Sequence, residues 1–151
     1  MFVSIVRANP DIPFVAVLKD AMPDPVAPNL RCYVRLSQPD LAQVMGACRV
    51  GLCTSRSETQ HLAGIEMGAC GLPLVVPPVG TYWERVDWPG FTVMADEVST
   101  YTNAIRAALK ASDRNAIDIR NYWMKSFHPE VVRLLWTALI KRVENGGAVT
   151  P

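Results

Sequence analysis

Two carboxylates, Glu58 and Glu66, enclose the run Thr59-Gln60-His61-Leu62-Ala63-Gly64-Ile65, and the stretch closes on Gly71-Leu72-Pro73. Carboxylates accept paired hydrogen bonds, so each of these groups suits a diol or a ring bearing several hydroxyls. The run between them reads as a loop from Ser57 to His61, followed by a helix from Leu62. A helix start gathers backbone N–H groups with no partner in the helix and attracts phosphate. Glu58 stands in the loop ahead of that start, and Glu66 about one turn inside the helix. One short element thus offers sites for a phosphate, for a diol and for a second hydroxyl-rich group.

The whole stretch resembles the nucleotide-sugar site of retaining glycosyltransferases of the GT-B fold, the large group called family 4. The resemblance runs from about Leu41 to Leu109 and rests on several matches. Ser55 or Ser57 falls where the family often has serine. Glu58 matches the first glutamate and Glu66 the second. Gly71 and Pro73 match the small-residue turn after the helix. Val79-Gly80-Thr81 is similar to a Val-Gly-Gly loop near the diphosphate, followed by Glu84 and later by Gly90. What the resemblance implies is a catalytic Glu58 facing the donor sugar and a Glu66 contacting the ribose. Thr59, Gln60, His61, Leu62, Gly80 and Thr81 complete the substrate-binding set. The donor would be a nucleoside diphosphate sugar, with no cofactor and no metal. The chain departs from the family pattern at Thr59-Gln60-His61, where Gly-Phe-Gly is common, and at Thr81, where glycine is. The family's first donor-domain strand, its cationic loop and its acceptor domain have no counterpart. Arg56, Arg85 and Lys19 are candidates to supply the missing positive charge.

These residues need a frame. Phe14 to Leu18 is β-branched and apolar, which predicts a strand buried on both faces. Leu30 to Val34, Val50 to Cys53, Leu74 to Val76 and Phe91 to Met94 are further strand candidates. Phe2 to Ala8 reads as a helix stopped by Asn9-Pro10. Ser37 is a candidate N-cap, with Pro39 and Asp40 in the first turn and an apolar stripe at Leu41, Val44, Met45 and Cys48. Gly71 is the glycine expected just past a helix end. A short helix is expected over 81–86. Three helices are expected after Ser99, the last starting at Pro129. Prolines in 22–28 predict a loop. Strands alternating with helices predict a Rossmann-like parallel α/β sheet, half of a GT-B fold, with ligands beyond the carboxyl ends of the strands. The expected organisation is one domain over 1–144, incomplete at its N-terminal side, and a flexible tail over 145–151.

With 50% apolar residues and a net charge of +1, the chain reads as globular and lacks the basic footprint of a nucleic-acid binder. No apolar run is long enough to span a membrane, and the start is not a signal peptide. Cys32, Cys48, Cys53 and Cys70 have no C-x-x-C spacing, so a zinc site is not predicted. Buried free thiols are, which fits a cytoplasmic location. Trp83 and Trp88 are expected to pack a loop on the core, and Trp123 and Trp136 to pack helices. The leading expectation is a donor domain for retaining transfer that needs an acceptor-domain partner or forms a homodimer. The alternatives are a non-catalytic binding or assembly domain and a sugar-nucleotide epimerase of the same fold.

Overall fold

The computed structural model describes residues 1–20, 27–83, 88–111 and 116–145. In chain order the elements are α1 (Phe2–Ala8), β1 (Phe14–Leu18), β2 (Leu30–Val34), α2 (Gln38–Gly46), β3 (Gly51–Leu52) and α3 (Leu62–Ala69). There follow β4 (Leu74–Val76), a 3-10 turn (Gly80–Tyr82), β5 (Gly90–Thr92), α4 (Val98–Ala111), α5 (Ala116–Phe127) and α6 (Pro129–Glu144). All pairings among the described residues are parallel, and α3 makes the crossover from β3 to β4. They form two separate ladders among the described residues: β1 with β2, and β3-β4-β5 in that order.

Local chemistry explains the boundaries. Asn9 ends α1 and is fully buried. Its side chain donates to the carbonyl of Ile5 at 2.9 Å and to the Thr102 hydroxyl at 2.9 Å. Asn29 then clamps the same corner, its amide nitrogen lying 3.1, 2.8 and 2.9 Å from the carbonyls of Val6, Asn9 and Ile12. Ser37 caps α2, accepting from the Asp40 amide. Gly71, with φ at +85°, turns the chain out of α3 in the left-handed region that only glycine enters freely. The amides of Gly71 and Leu72 bond back to the carbonyls of Gly68 and Met67, closing the helix as expected.

The core divides across β4. Val75 packs with Ile5, Val6, Phe14, Tyr101 and Ile105, so α1 and α4 cover that face. Leu74 and Val76 pack with Tyr82, Trp88, Ile119 and Trp123, so α3 and α5 cover the other. Alternate residues of a strand point to opposite faces, and three apolar residues in succession serve both.

Several expectations are corrected. β1 is not buried on both faces: Val15 and Val17, on the face away from Phe14, are 38% and 37% exposed. The third strand is shorter than Val50 to Cys53, and the last covers Gly90–Thr92 rather than Phe91 to Met94. Trp88 packs as expected, but Trp83 is 70% exposed, and Trp136 is 61% exposed on a helix that contacts mainly α5. None of the four thiols is in a disulfide, yet Cys32 is exposed and only Cys53 is buried. The short helix is a single 3-10 turn within its described part, and Glu84 and Arg85 lie outside the described residues. So do most of the proline-rich stretch and 146–151 of the tail. No helix among the described residues is long and apolar enough to cross a membrane.

Candidate functional site

Beyond Leu52 the chain leaves the sheet. Cys53 still bonds its amide to the carbonyl of Val75 at 2.9 Å, which anchors the following loop at the carboxyl end of β3. The loop crosses to the turn that leaves the carboxyl end of β4. Gly80 lies there with φ at +54°, and a β-carbon on it would stand 3.1 Å from both Cβ and the carbonyl oxygen of Glu58 and 3.2 Å from the carbonyl of Thr59. Glycine at position 80 is therefore required twice, by its dihedral and by the close approach of the Glu58 backbone. The sequence-predicted Glu58, Thr59 and Gly80 meet in one place, with Thr81 next in the turn.

His61 precedes α3 in the left-handed region, φ +58°. Its Nδ1 is 2.8 Å from the hydroxyl of Tyr82, and the two rings meet edge to face at 5.6 Å. This contact holds an L-residue in a conformation it seldom adopts. Tyr82 is itself wedged against Trp88 and Trp123, at centroid distances of 5.1 and 6.1 Å. Gly64 makes room for the contact, since a methyl there would fall 1.9 Å from the Tyr82 oxygen. The start of α3 has no side-chain cap and no acid in its first turn. The amides of Gly64 and Ile65 bond to the His61 carbonyl at 3.0 and 3.3 Å. The first-turn donors that point outward are thus those of Leu62 and Ala63. Gln60 and Leu62 are exposed beside them.

Glu58 also sets the electrostatics. Burial pushes the His61 imidazole below its ordinary value, and the Glu58 carboxylate opposes that shift. Burial pushes the Cys53 thiol up, with hydrogen bonds from Ser55 opposing and Glu58 adding. One donor atom each from Cys53, Glu58 and His61 lies within 4.8 Å of the others. Sulfur, carboxylate and imidazole in one cluster are a donor set that a divalent ion such as zinc accepts. A C-x4-E-x2-H spacing was the signal for it in the sequence. Tyr82 was legible only as the residue next to Thr81.

Other expected members lie elsewhere. Glu66 does not join the cluster. It is exposed on α3 and lines a cleft of about 800 Å³ with β1, α2 and α4. Arg56 is exposed and bonded to Asp96 at 2.9 Å, which ties the loop to the segment after β5. Lys19 continues past β1, and its carbonyl accepts from the Arg35 side chain at 2.8 Å. These contacts hold neither Lys19 nor Arg56 at the start of α3. No protein-family model matches the chain, and no curated protein matches its sequence.

Proposed function

We propose that the loop from Cys53 to His61, the start of α3 and the Gly80–Tyr82 turn receive the diphosphate and sugar of a nucleoside diphosphate sugar. In this reading the chain is the donor side of a retaining glycosyltransferase of the GT-B type. The observation that carries the reading is the seating of Glu58 and Thr59 against Gly80. It joins the two motif stretches at the carboxyl ends of neighbouring parallel strands, where such sheets bind ligands. Glu58 would accept hydroxyl hydrogens of the sugar. The Leu62 and Ala63 amides, with Gln60 and Thr81 alongside, would face the diphosphate. Glu66, turned toward the cleft, would take the ribose diol at the rim. The chemistry asked of these groups is positioning and stabilisation of a leaving diphosphate.

The test is calorimetry with UDP and GDP and their sugars on Glu58→Ala and Glu66→Ala. Glu66→Ala should weaken the bare nucleotide by about 1–3 kcal/mol, the cost of a lost hydrogen-bond acceptor. Glu58→Ala should spare the bare nucleotide and weaken the sugar-bearing form. Equal losses for both ligands in both variants, or no binding of any nucleotide by the parent chain, would refute the assignment. A second reading is a binding or assembly domain without transfer. The break between the two ladders favours it, because a donor site at the edge of a divided sheet lacks support on one side.

A further inference from the structure

The cleft that Glu66 lines lies between the two ladders. Every residue of β1 from Phe14 to Leu18 lines it, and none of β2; Val50 and Leu52 line it, and none of β4. It therefore runs along the outer edges of β1 and β3. Backbone groups of alternate residues in a strand point to opposite edges. The Phe14 amide bonds to Asn29, and the Leu18 carbonyl accepts from Arg35, both on the β2 side. Val15 and Val17 consequently turn their N–H and C=O groups toward the cleft. On the far wall Gly51 and Cys53 bond to Pro73 and Val75 on the β4 side, which turns Leu52 toward the cleft.

The cleft is also covered above and below. Phe2, Ile105 and Leu109 line it from α1 and α4, the helices that cover the Val75 face. Met67 lines it from α3, which covers the opposite face, and Val44 and Met45 line it from α2. Asp11, Arg49 and Glu66 are its charged members, and the remaining lining is almost wholly apolar. Two outward strand edges with helices over both faces match the surroundings of an interior strand in an α/β sheet.

We infer that this cleft takes an extended, apolar β-strand from outside residues 1–151, which pairs with β1 on one edge and β3 on the other and joins the two ladders into one sheet. The strand would match the five residues of β1, a length of about 17 Å. Its middle would be valine- or isoleucine-rich and its ends polar, to suit the lining. A second copy of this chain is a poor donor: each of its described strands is already paired in its own ladder. The inference does not rest on the nucleotide reading.

The probe is a synthetic peptide with a valine–isoleucine run as long as β1, flanked by lysines. The control is the same peptide with alternate backbone nitrogens methylated. Added to the full chain, the probe should slow amide exchange at Val15, Val17 and Leu52 by about tenfold or more, the mark of new backbone pairing. The methylated peptide should not. Met45→Lys, which sets a charge against the inserted side chains, should weaken the probe by about tenfold while helix content is retained. Four results would overturn the inference. One is no binding. Another is binding without slowed exchange, as an apolar small molecule would bind. The third is equal effects from the methylated control, or from Met45→Lys and the parent. The last is a chain already dimeric by light scattering with those amides slow, which would place a second copy in the cleft.

Discussion

Gly64→Ala tests the contact that shapes the loop before α3. The added methyl would stand 1.9 Å from the Tyr82 hydroxyl oxygen and 2.4 Å from Nδ1 of His61, more than an ångström inside ordinary contact. Tyr82 is 1% exposed and held by Trp88 and Trp123, so its ring cannot swing aside. Overpacking of this kind costs about 1–3 kcal/mol, and loss of the His61–Tyr82 hydrogen bond about another 1 kcal/mol. Alanine regains about 1 kcal/mol of helix propensity over glycine. The net expectation is a loss of about 2 kcal/mol, or about 4–8 °C in Tm for a domain of this size. Urea denaturation should show a lower midpoint at unchanged slope. Tyr82→Phe should cost about 1 kcal/mol by leaving the imidazole nitrogen without its partner. In the double variant the nearest clashing atom and the bond are already gone. Its destabilisation should therefore fall short of the summed single losses by about 1 kcal/mol. Additivity within about 0.5 kcal/mol, or a Gly64→Ala chain as stable as the parent, would refute the geometry around His61.

Asn29→Ala should destabilise by about 1–3 kcal/mol in the same assay, because the carbonyls of Val6, Asn9 and Ile12 lose their shared donor. In chelator-treated protein, His61 should titrate by NMR below the ordinary histidine value of about 6.5. The unfolded chain then binds the extra proton first. This contribution to stability is complete above about pH 6.5 and declines as pH falls toward the lowered native value. Stability that is flat across that window would argue against a buried imidazole. Alkylation at neutral pH should mark exposed Cys32 well before Cys53, which is buried and whose thiol is pushed up; equal rates would contradict the placement of Cys53.

Local signals were the most legible in the sequence. Asn9-Pro10, Ser37-x-Pro39-Asp40 and Gly71 act on their own backbone, and each ends or starts the helix it was expected to. The apolar runs at Phe14, Leu30 and Leu74 gave their strands without error in extent. Burial was less legible, since it depends on neighbours the run does not name. Val15 and Val17 have the composition of a doubly covered strand but border a cleft, and Trp136 belongs to an apolar stripe that nothing among the described residues covers. The site was legible in part. Glu58 and Gly80 were singled out by type and spacing, and they do meet. Spacing on a helix fixes the direction of a side chain only relative to its neighbours. It could not tell that Glu66 turns to the cleft while Glu58 turns to His61. Tyr82, which fixes His61, carried no motif.

The division of the strands into two ladders bears on how the molecule comes apart. Between β3, β4 and β5 the backbone itself carries force and order from strand to strand. Between β1 and β3 only side chains do, through Phe14 and Ile12 against α1 and α4. The β1–β2 pair can therefore loosen while the tryptophan-rich half around Trp123 stays packed. Heating would then be reported as one temperature by tryptophan fluorescence and a lower one by probes in the first thirty-four residues. A urea midpoint then belongs to the half that the probe reads, and each variant above is followed by a probe in its own half.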